Sequence, residues 1–150
     1  MSVRFATMLL VSMTCYAAGC KSKQEVKFVT VEGRVLVAGK PLTSGQIGFI
    51  PDESRGATHP EYSIGEMQSD GTFKLVTNDK NGVRPGWYKV VVWASVEPMP
   101  ATPSYDANGQ LKPIAWLVAT KYTTKESTDL QIEVVENPPS GAYDLNLDPP

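Results

Sequence analysis

The sequence is poor in the residues on which most catalytic and metal sites depend. It has one histidine, His59, and two cysteines, Cys15 and Cys20, both within the first twenty residues. Helical periodicity is missing as well, because no window of about eleven residues keeps an apolar stripe at helical spacing. Lysine and arginine are scattered, and the formal net charge is -2. We therefore expect neither a helical protein nor a nucleic-acid partner.

The first twenty residues have the layout of a secretory signal peptide. Arg4 precedes an apolar run from Phe5 to Tyr16, and small residues then lead to Cys20. The run is shorter than the roughly 20 residues that span a bilayer as a helix, which argues against a permanent transmembrane anchor. The ending AAGC resembles the lipobox of bacterial lipoproteins, in which the cysteine is acylated and the preceding peptide is removed.

This resemblance implies a signal peptide over residues 1–19, a lipid on Cys20 and a lipidated tether over residues 20–27. Acyl chains on one residue hold a protein on a membrane, since each buried methylene contributes about 0.8 kcal/mol. We therefore expect an extracytoplasmic, membrane-anchored lipoprotein of the bacterial cell envelope. The mature chain would keep Cys20 as its only cysteine, so no intramolecular disulfide would form.

From residue 28 onward, apolar and polar residues alternate with the period of two that is typical of β-strands. Seven segments show this alternation: VTVEGRVLV, GQIGFIP, YSIGEM, TFKLVT, GWYKVVVWASV, STDLQIEVVE and AYDLNLD. The chain also has 12 glycines and 12 prolines, and the intervals between them are about as long as a β-strand. The sequence predicts one all-β domain over residues 28–150, an antiparallel β-sandwich of seven strands.

Longer stretches resemble a known family. VEGRVLVAGKPLTSGQIGFIPDE, SIGEMQSDGTFKLVTNDKNGVRPGWYKVVV, KYTTKESTDLQIEVVE and YDLNLD are similar to the carboxypeptidase-regulatory-like domain of small bacterial lipoproteins. The resemblance runs from Val29 to Asp148. It implies a transthyretin-like (prealbumin-like) sandwich, and because its motifs are turn glycines and core positions it implies a fold more than an activity. One transthyretin-like branch hydrolyses a purine-derived ring with a Tyr-Arg-Gly-Ser tail, whereas this chain ends in YDLNLDPP.

Candidate catalytic residues are few. His59 lies in THPEY, and a pair with Glu61 or Asp52 defines the only hydrolase centre that the sequence suggests. No G-x-S-x-G or S-x-x-K motif is present, and no cysteine is left to act as a nucleophile. We expect His59 to be a solvated loop residue and the protein to be non-catalytic, without a cofactor.

Two turn sequences resemble the beginning of a calcium-binding loop. TNDKNG and SYDANG place Asp79 and Asp106 at the third loop position, but Tyr88 and Ala115 stand where the bidentate glutamate belongs. Asn-Gly is also a common tight-turn dipeptide, which explains both stretches without calcium. We therefore expect no metal site.

The tryptophans are the best candidates for a ligand surface. In GWYKVVVWASV the alternation places Trp87 and Trp93 on one face and Tyr88, Val90, Val92 and Ala94 on the other, core-facing side. Trp87 and Trp93 are too far apart along a strand, roughly 20 Å, to stack on one sugar ring. They could instead mark two points of an extended groove.

Segment 97–121 bears on this surface because it carries Trp116 and four prolines. Loops of this length are uncommon and are often functional or folded over a surface. The segment either wraps the sheet and buries Trp93 with Trp116, which we favour, or leaves an exposed patch. We expect a monomeric binding or structural module whose unknown partner is an envelope protein or a glycan. A glycan would bind the Trp93 face.

Overall fold

The computed structural model describes residues 27–150, so Cys15, Cys20 and residues 1–26 as a whole lie outside the described residues. The described part is all-β, with ten short strands and two 3₁₀ helices, Glu53–Arg55 and Thr120–Thr123. The strands are β1 (Glu32–Val37), β2 (Lys40–Pro41), β3 (Gln46–Pro51), β4 (Ser63–Glu66), β5 (Thr72–Lys74), β6 (Val76–Thr77), β7 (Lys80–Asn81), β8 (Gly86–Trp93), β9 (Gln131–Val134) and β10 (Leu145–Leu147). Between residues 27 and 150, no helix is long and apolar enough to cross a membrane.

The strands form two sheets. In the smaller sheet β1 lies between β10 and β2 and also pairs with β5, and in the larger sheet the order is β7-β6-β4-β3-β8-β9. The longest ladder joins β3 to β8 in antiparallel register, from Gln46 opposite Trp93 to Pro51 opposite Tyr88. One pairing departs from the antiparallel expectation, because β1 and β10 run parallel. Parallel neighbours need a long connection, and here everything between the first and the last strand supplies it.

Each of the seven predicted segments contains strand, and the larger number of strands has two causes. β2 and β7 are two-residue ladders beside turns. TFKLVT forms two strands because the chain changes sheet at Leu75, so that β5 pairs with β1 whereas β6 pairs with β4. Leu75 itself is fully buried. A segment that alternates without interruption in sequence thus serves both sheets.

One hydrophobic core is shared by the two sheets. The ring of Phe49 on β3 lies at its centre, with its centroid 5.9 Å from that of Tyr88 and 6.5 Å from that of Phe73 on the other sheet. From Tyr88 onward the even-numbered residues of β8 are buried as predicted, with Tyr88, Val90 and Val92 at 0 % exposure. Each fully buried large apolar side chain stabilises the fold by about 1.5–3 kcal/mol. Close packing therefore accounts for the stability of a domain that has no disulfide in its described part.

Candidate functional site

A long irregular hairpin connects β8 to the second 3₁₀ helix, and we call it the arm (residues 95–116). An antiparallel bridge between Ser95 and Trp116 closes its base, and a second bridge joins Tyr105 to Leu111 near its tip. Between these bridges the two limbs separate. The arm thus encloses a space of its own, outside the core that the sheets share.

The tip of the arm is a turn stabilised by Asp106. Its carboxylate Oδ1 accepts hydrogen bonds from the backbone N–H groups of Asn108 and Gln110, each at 2.8 Å. Gly109 donates to the carbonyl of Asp106 at 3.1 Å. This is the way aspartate stabilises turns, and it gives SYDANG a structural explanation. In residues 27–150 no group of three metal-ligating side chains comes together, around Asp106 or elsewhere.

Large apolar side chains are exposed mainly on the arm. Of the seven that are exposed within residues 27–150, five belong to it: Val96, Met99, Tyr105, Leu111 and Ile114. All of them except Tyr105 line an open groove of about 710 Å³, whose lining comes only from residues 95–115 and includes the four prolines of the arm. Concentrated exposed apolar surface marks interaction sites on soluble domains. The groove between the two limbs is therefore the candidate binding site of this molecule.

Segment 97–121 does not fold over the sheet as a whole, which differs from the expectation drawn from its length. Only its last residues do so, because the 3₁₀ helix Thr120–Thr123 packs against β8. The indole N–H of Trp93 donates to the carbonyl of Thr123 at 2.8 Å, and the hydroxyl of Thr128 donates to the carbonyl of Val90 at 2.7 Å. These bonds attach the chain that follows the arm to the sheet and leave the arm itself exposed.

The three tryptophans are half-buried and do not converge on one site. The Trp93 ring lies across the backbone of Gly48, where an added Cβ would come within 2.9 Å of the ring. Trp87, at the other end of β8, has the guanidinium of Arg55 4.1 Å from its ring centroid. Trp116 forms the base of the arm, and among the ring pairs of residues 27–150 it is not stacked on Trp93. Trp87 and Trp93 thus make contacts that maintain the fold.

His59 is not a solvated loop residue, because its side chain is only 12 % exposed. Its Nε2 lies 3.1 Å from the hydroxyl of Tyr88, which donates to the carbonyl of Arg84 at 2.8 Å. Its Nδ1 lies 3.6 Å from Glu61, and Arg84 donates to the same carboxylate at 3.1 Å. Burial raises the pKa of Tyr88 above its ordinary value of 10.0, so its hydroxyl stays neutral.

This cluster brings His59 together with Glu61 but not with Asp52 or with a nucleophile. In the described chain no serine or threonine hydroxyl is hydrogen-bonded to His59. The contacts connect the loop before β4 to β8 and its preceding turn, so their role is to hold that loop against the larger sheet. The THPEY stretch indicated that His59 and Glu61 could form a pair. Sequence alone could not identify Tyr88 and Arg84 as their partners, because these lie more than twenty residues further along the chain.

Asp52 begins the first 3₁₀ helix. Its side chain is nearly buried, and its Oδ1 accepts from the hydroxyl of Ser54 at 2.6 Å and from the backbone N–H of the same residue at 3.1 Å. The hydrogen bond from the Ser54 hydroxyl is the largest cause that holds the pKa of Asp52 below its ordinary value of 3.8. The carboxylate therefore stabilises the turn in which it sits.

We expect this carboxylate to make the fold acid-sensitive. Because the pKa of Asp52 is lower in the folded chain than the unfolded value of 3.8, its contribution is present above about pH 4 and is lost as the pH falls through the folded pKa. The urea midpoint should fall between about pH 7 and pH 3, and it should fall less in Asp52→Asn. Ser54→Ala should reproduce most of that change. An equally steep fall in Asp52→Asn and in the wild type would contradict this role.

Comparison of the chain with protein-family models, curated proteins and solved structures finds no match. Only the geometry of the candidate site therefore bears on its function. That geometry comprises an exposed apolar arm closed at its base and at its tip, on a sheet whose tryptophans are half-buried.

Proposed function

We propose that this chain is a non-catalytic, lipid-anchored protein of the bacterial cell envelope, and that it binds a protein partner through the arm. The two sheets and their shared core are consistent with a transthyretin-like β-sandwich of the carboxypeptidase-regulatory-like type, which we propose as the scaffold. The lipid on Cys20 would hold the domain at a membrane, and the arm would reach its partner.

The observation that supports binding is the concentration of exposed apolar side chains on one element. Val96, Met99, Tyr105, Leu111 and Ile114 are between 42 and 65 % exposed, and none of them contributes to the shared core. Tyrosine and methionine are enriched at protein interfaces, and charged residues are depleted at the centre of such interfaces. The arm has this composition, with one acidic residue, Glu97, and one basic residue, Lys112, lining its groove.

The two other functions that the sequence suggests find less support. A glycan on the Trp93 face would need the polar end of the indole to be free, whereas that N–H is bonded to the carbonyl of Thr123. A hydrolase around His59 would need a nucleophile beside the imidazole, and the imidazole is instead hydrogen-bonded to the neutral hydroxyl of Tyr88. We therefore place the binding surface on the arm.

Replacing Cys20 by serine should release the protein from membranes. The acyl chains that we propose for the thiol could not form on a serine side chain, and the described domain supplies no membrane-crossing helix in their place. Cell fractionation measures the effect, with wild type expected in the membrane pellet and Cys20→Ser in the soluble fraction. Mass spectrometry that finds Cys20 intact and unacylated in the mature wild type would contradict the proposed anchor.

The arm as a binding surface is tested by photo-crosslinking in the cell. A benzophenone-bearing phenylalanine analogue replaces Tyr105 on the arm or, as a matched control, Tyr62 in the loop before β4. The two tyrosines are 58 and 60 % exposed, so they sample solvent equally. We expect protein adducts at Tyr105 and few at Tyr62. Equal adduct yields at the two positions would show that the arm is not a binding surface.

A further inference from the structure

We propose that the partner of the arm is the arm of a second copy of this chain, so that two anchored protomers form a twofold-symmetric dimer. This inference rests on the proposed function, since it takes the arm as the binding surface and the lipid as the anchor. It replaces the expectation of a monomer. Three features of the described residues support it, namely the position of the arm, the charges that line its groove and its size.

The first feature is the position of the arm relative to the tether. The described chain begins beside the start of β8, because Val29 bridges to Val83 and Lys27 forms an ion pair with Glu136 just after β9. The arm leaves the sheet at the opposite end of β8, an eight-residue strand that spans about 25 Å. The first described residues and the arm thus lie at opposite ends of β8, so an anchor on Cys20 would join the domain at the end away from the groove.

The same placement favours a second copy. Protomers anchored through Cys20 would each be attached at the end away from their arms, which leaves the arms of neighbouring copies free to meet. A twofold axis along the arm then brings two arms side by side, and such an interface uses the same patch on both protomers. Lateral encounter in the membrane also raises the effective concentration of one arm around another.

The second feature is a pair of opposite charges on the two limbs of the arm. Glu97 lies on the first limb and Lys112 on the second, and both line the groove. Neither forms an ion pair within residues 27–150. Val96 bonds to Ala115 and Lys112 bonds to Ser104 across the arm, so Glu97 lies one residue from the first of these cross-links and Lys112 lies at the second, three residues further along the other limb.

A twofold axis parallel to the arm places the first limb of one protomer against the second limb of the other. Glu97 of each protomer then meets Lys112 of the other. Two ion pairs then form by symmetry at the edge of an apolar contact. The remaining acidic residue of the arm, Asp106, is occupied by the backbone of its own turn, so like charges do not oppose the pairing.

The third feature is size. A contact over the whole length of the arm, from Ser95 to Trp116, would reach the roughly 20–30 residues on each side that specific interfaces use. Five large exposed apolar side chains on one arm become ten in the pair. This is the apolar centre with a charged rim that stable interfaces have.

The test uses the lipidated chain in the cell, with the benzophenone analogue at Tyr105. We expect the principal adduct to have twice the mass of the protomer. Glu97→Lys or Lys112→Glu alone should each lower its yield about tenfold, because each places like charges against one another. The double variant Glu97→Lys with Lys112→Glu should restore the yield, since it exchanges the two charges and recreates both ion pairs. Tyr62, 60 % exposed and away from the arm, serves again as the control position.

The outcomes separate the dimer from the binding function itself. Adducts at Tyr105 that contain only other proteins would overturn the dimer and leave the binding function standing. Adducts of double mass whose yield the single charge changes do not lower would overturn the arrangement through Glu97 and Lys112. No excess of adducts over Tyr62 would overturn both proposals. Thermal unfolding of each variant, expected to match wild type because the changed side chains are exposed, excludes loss of the fold as the cause.

Discussion

Replacing Val90 by aspartate is expected to unfold the domain. Val90 is 0 % exposed and belongs to the core between the sheets, so the carboxylate would be buried without a partner, or would have to be protonated to stay there. The apolar burial of the valine would be lost as well. Together these effects should cost about 4–5 kcal/mol or more, against a total stability of about 5–15 kcal/mol for a domain of this size. Circular dichroism in urea at 25 °C measures the loss.

The matched control for Val90 is its neighbour Lys89, whose side chain points to the other face of β8. Lys89→Gln keeps the length of the side chain and should change stability by no more than about 0.5 kcal/mol. Glutamine is a better control than aspartate here, because the positive charge of Lys89 helps to lower the pKa of Asp52 and a negative charge would raise it. Similar losses in Val90→Asp and Lys89→Gln would show that the two faces of β8 are assigned wrongly.

Gly45→Ala should cause the second largest loss of stability. The residue has φ of +119°, which side chains disfavour, and an added Cβ would lie 2.6 Å from the carbonyl oxygen of Trp93 and 2.7 Å from Cβ of Ala94. Backbone strain and a contact with the backbone at the end of β8 therefore combine. We expect a loss of about 3 kcal/mol or more, since strained backbone alone costs of the order of 1–3 kcal/mol. Urea denaturation measures it.

Gly39→Ala separates these two causes. Gly39 also has a positive φ, +79°, but an added Cβ would meet nothing within 4 Å. Its substitution should therefore cost only the strain of the left-handed conformation, about 1–2 kcal/mol. If Gly39→Ala destabilised the domain as much as Gly45→Ala, the close approach of Gly45 to the end of β8 would not be what matters there.

Much of the local structure could be predicted from the alternation of residues. The even-numbered side chains from Tyr88 in β8 to Ala94 just after it are buried, as the period of two requires. Val91 shows where the rule ends, because it lies on the other face and is nevertheless 0 % exposed. The helix Thr120–Thr123 packs on that strand. The local sequence of β8 could not predict this burial, because the helix lies about thirty residues further along the chain.

The candidate site was harder to predict than the fold. The sequence marked segment 97–121 as unusual and SYDANG as a turn, and both observations apply to the arm. It could not indicate that the arm stands exposed, because exposure depends on whether another surface of the chain is available to cover it. The sequence analysis, in contrast, placed the candidate ligand surface on the tryptophans. Two of them make contacts that belong to the fold, the N–H of Trp93 to Thr123 and the ring of Trp87 to Arg55.

What the sequence determined by itself is therefore local: which segments are strands, which of their faces enter the core, and where the chain turns. These properties follow from side-chain alternation and from glycine, proline and aspartate chemistry within a few residues. Tertiary structure alone decided which strands pair, including the parallel pairing of Val35 with Leu145 over more than a hundred residues, and the change of sheet at Leu75. It also decided that residues 95–116 stay outside the core. Pairing and burial depend on surfaces that are distant in the chain and meet only when it folds.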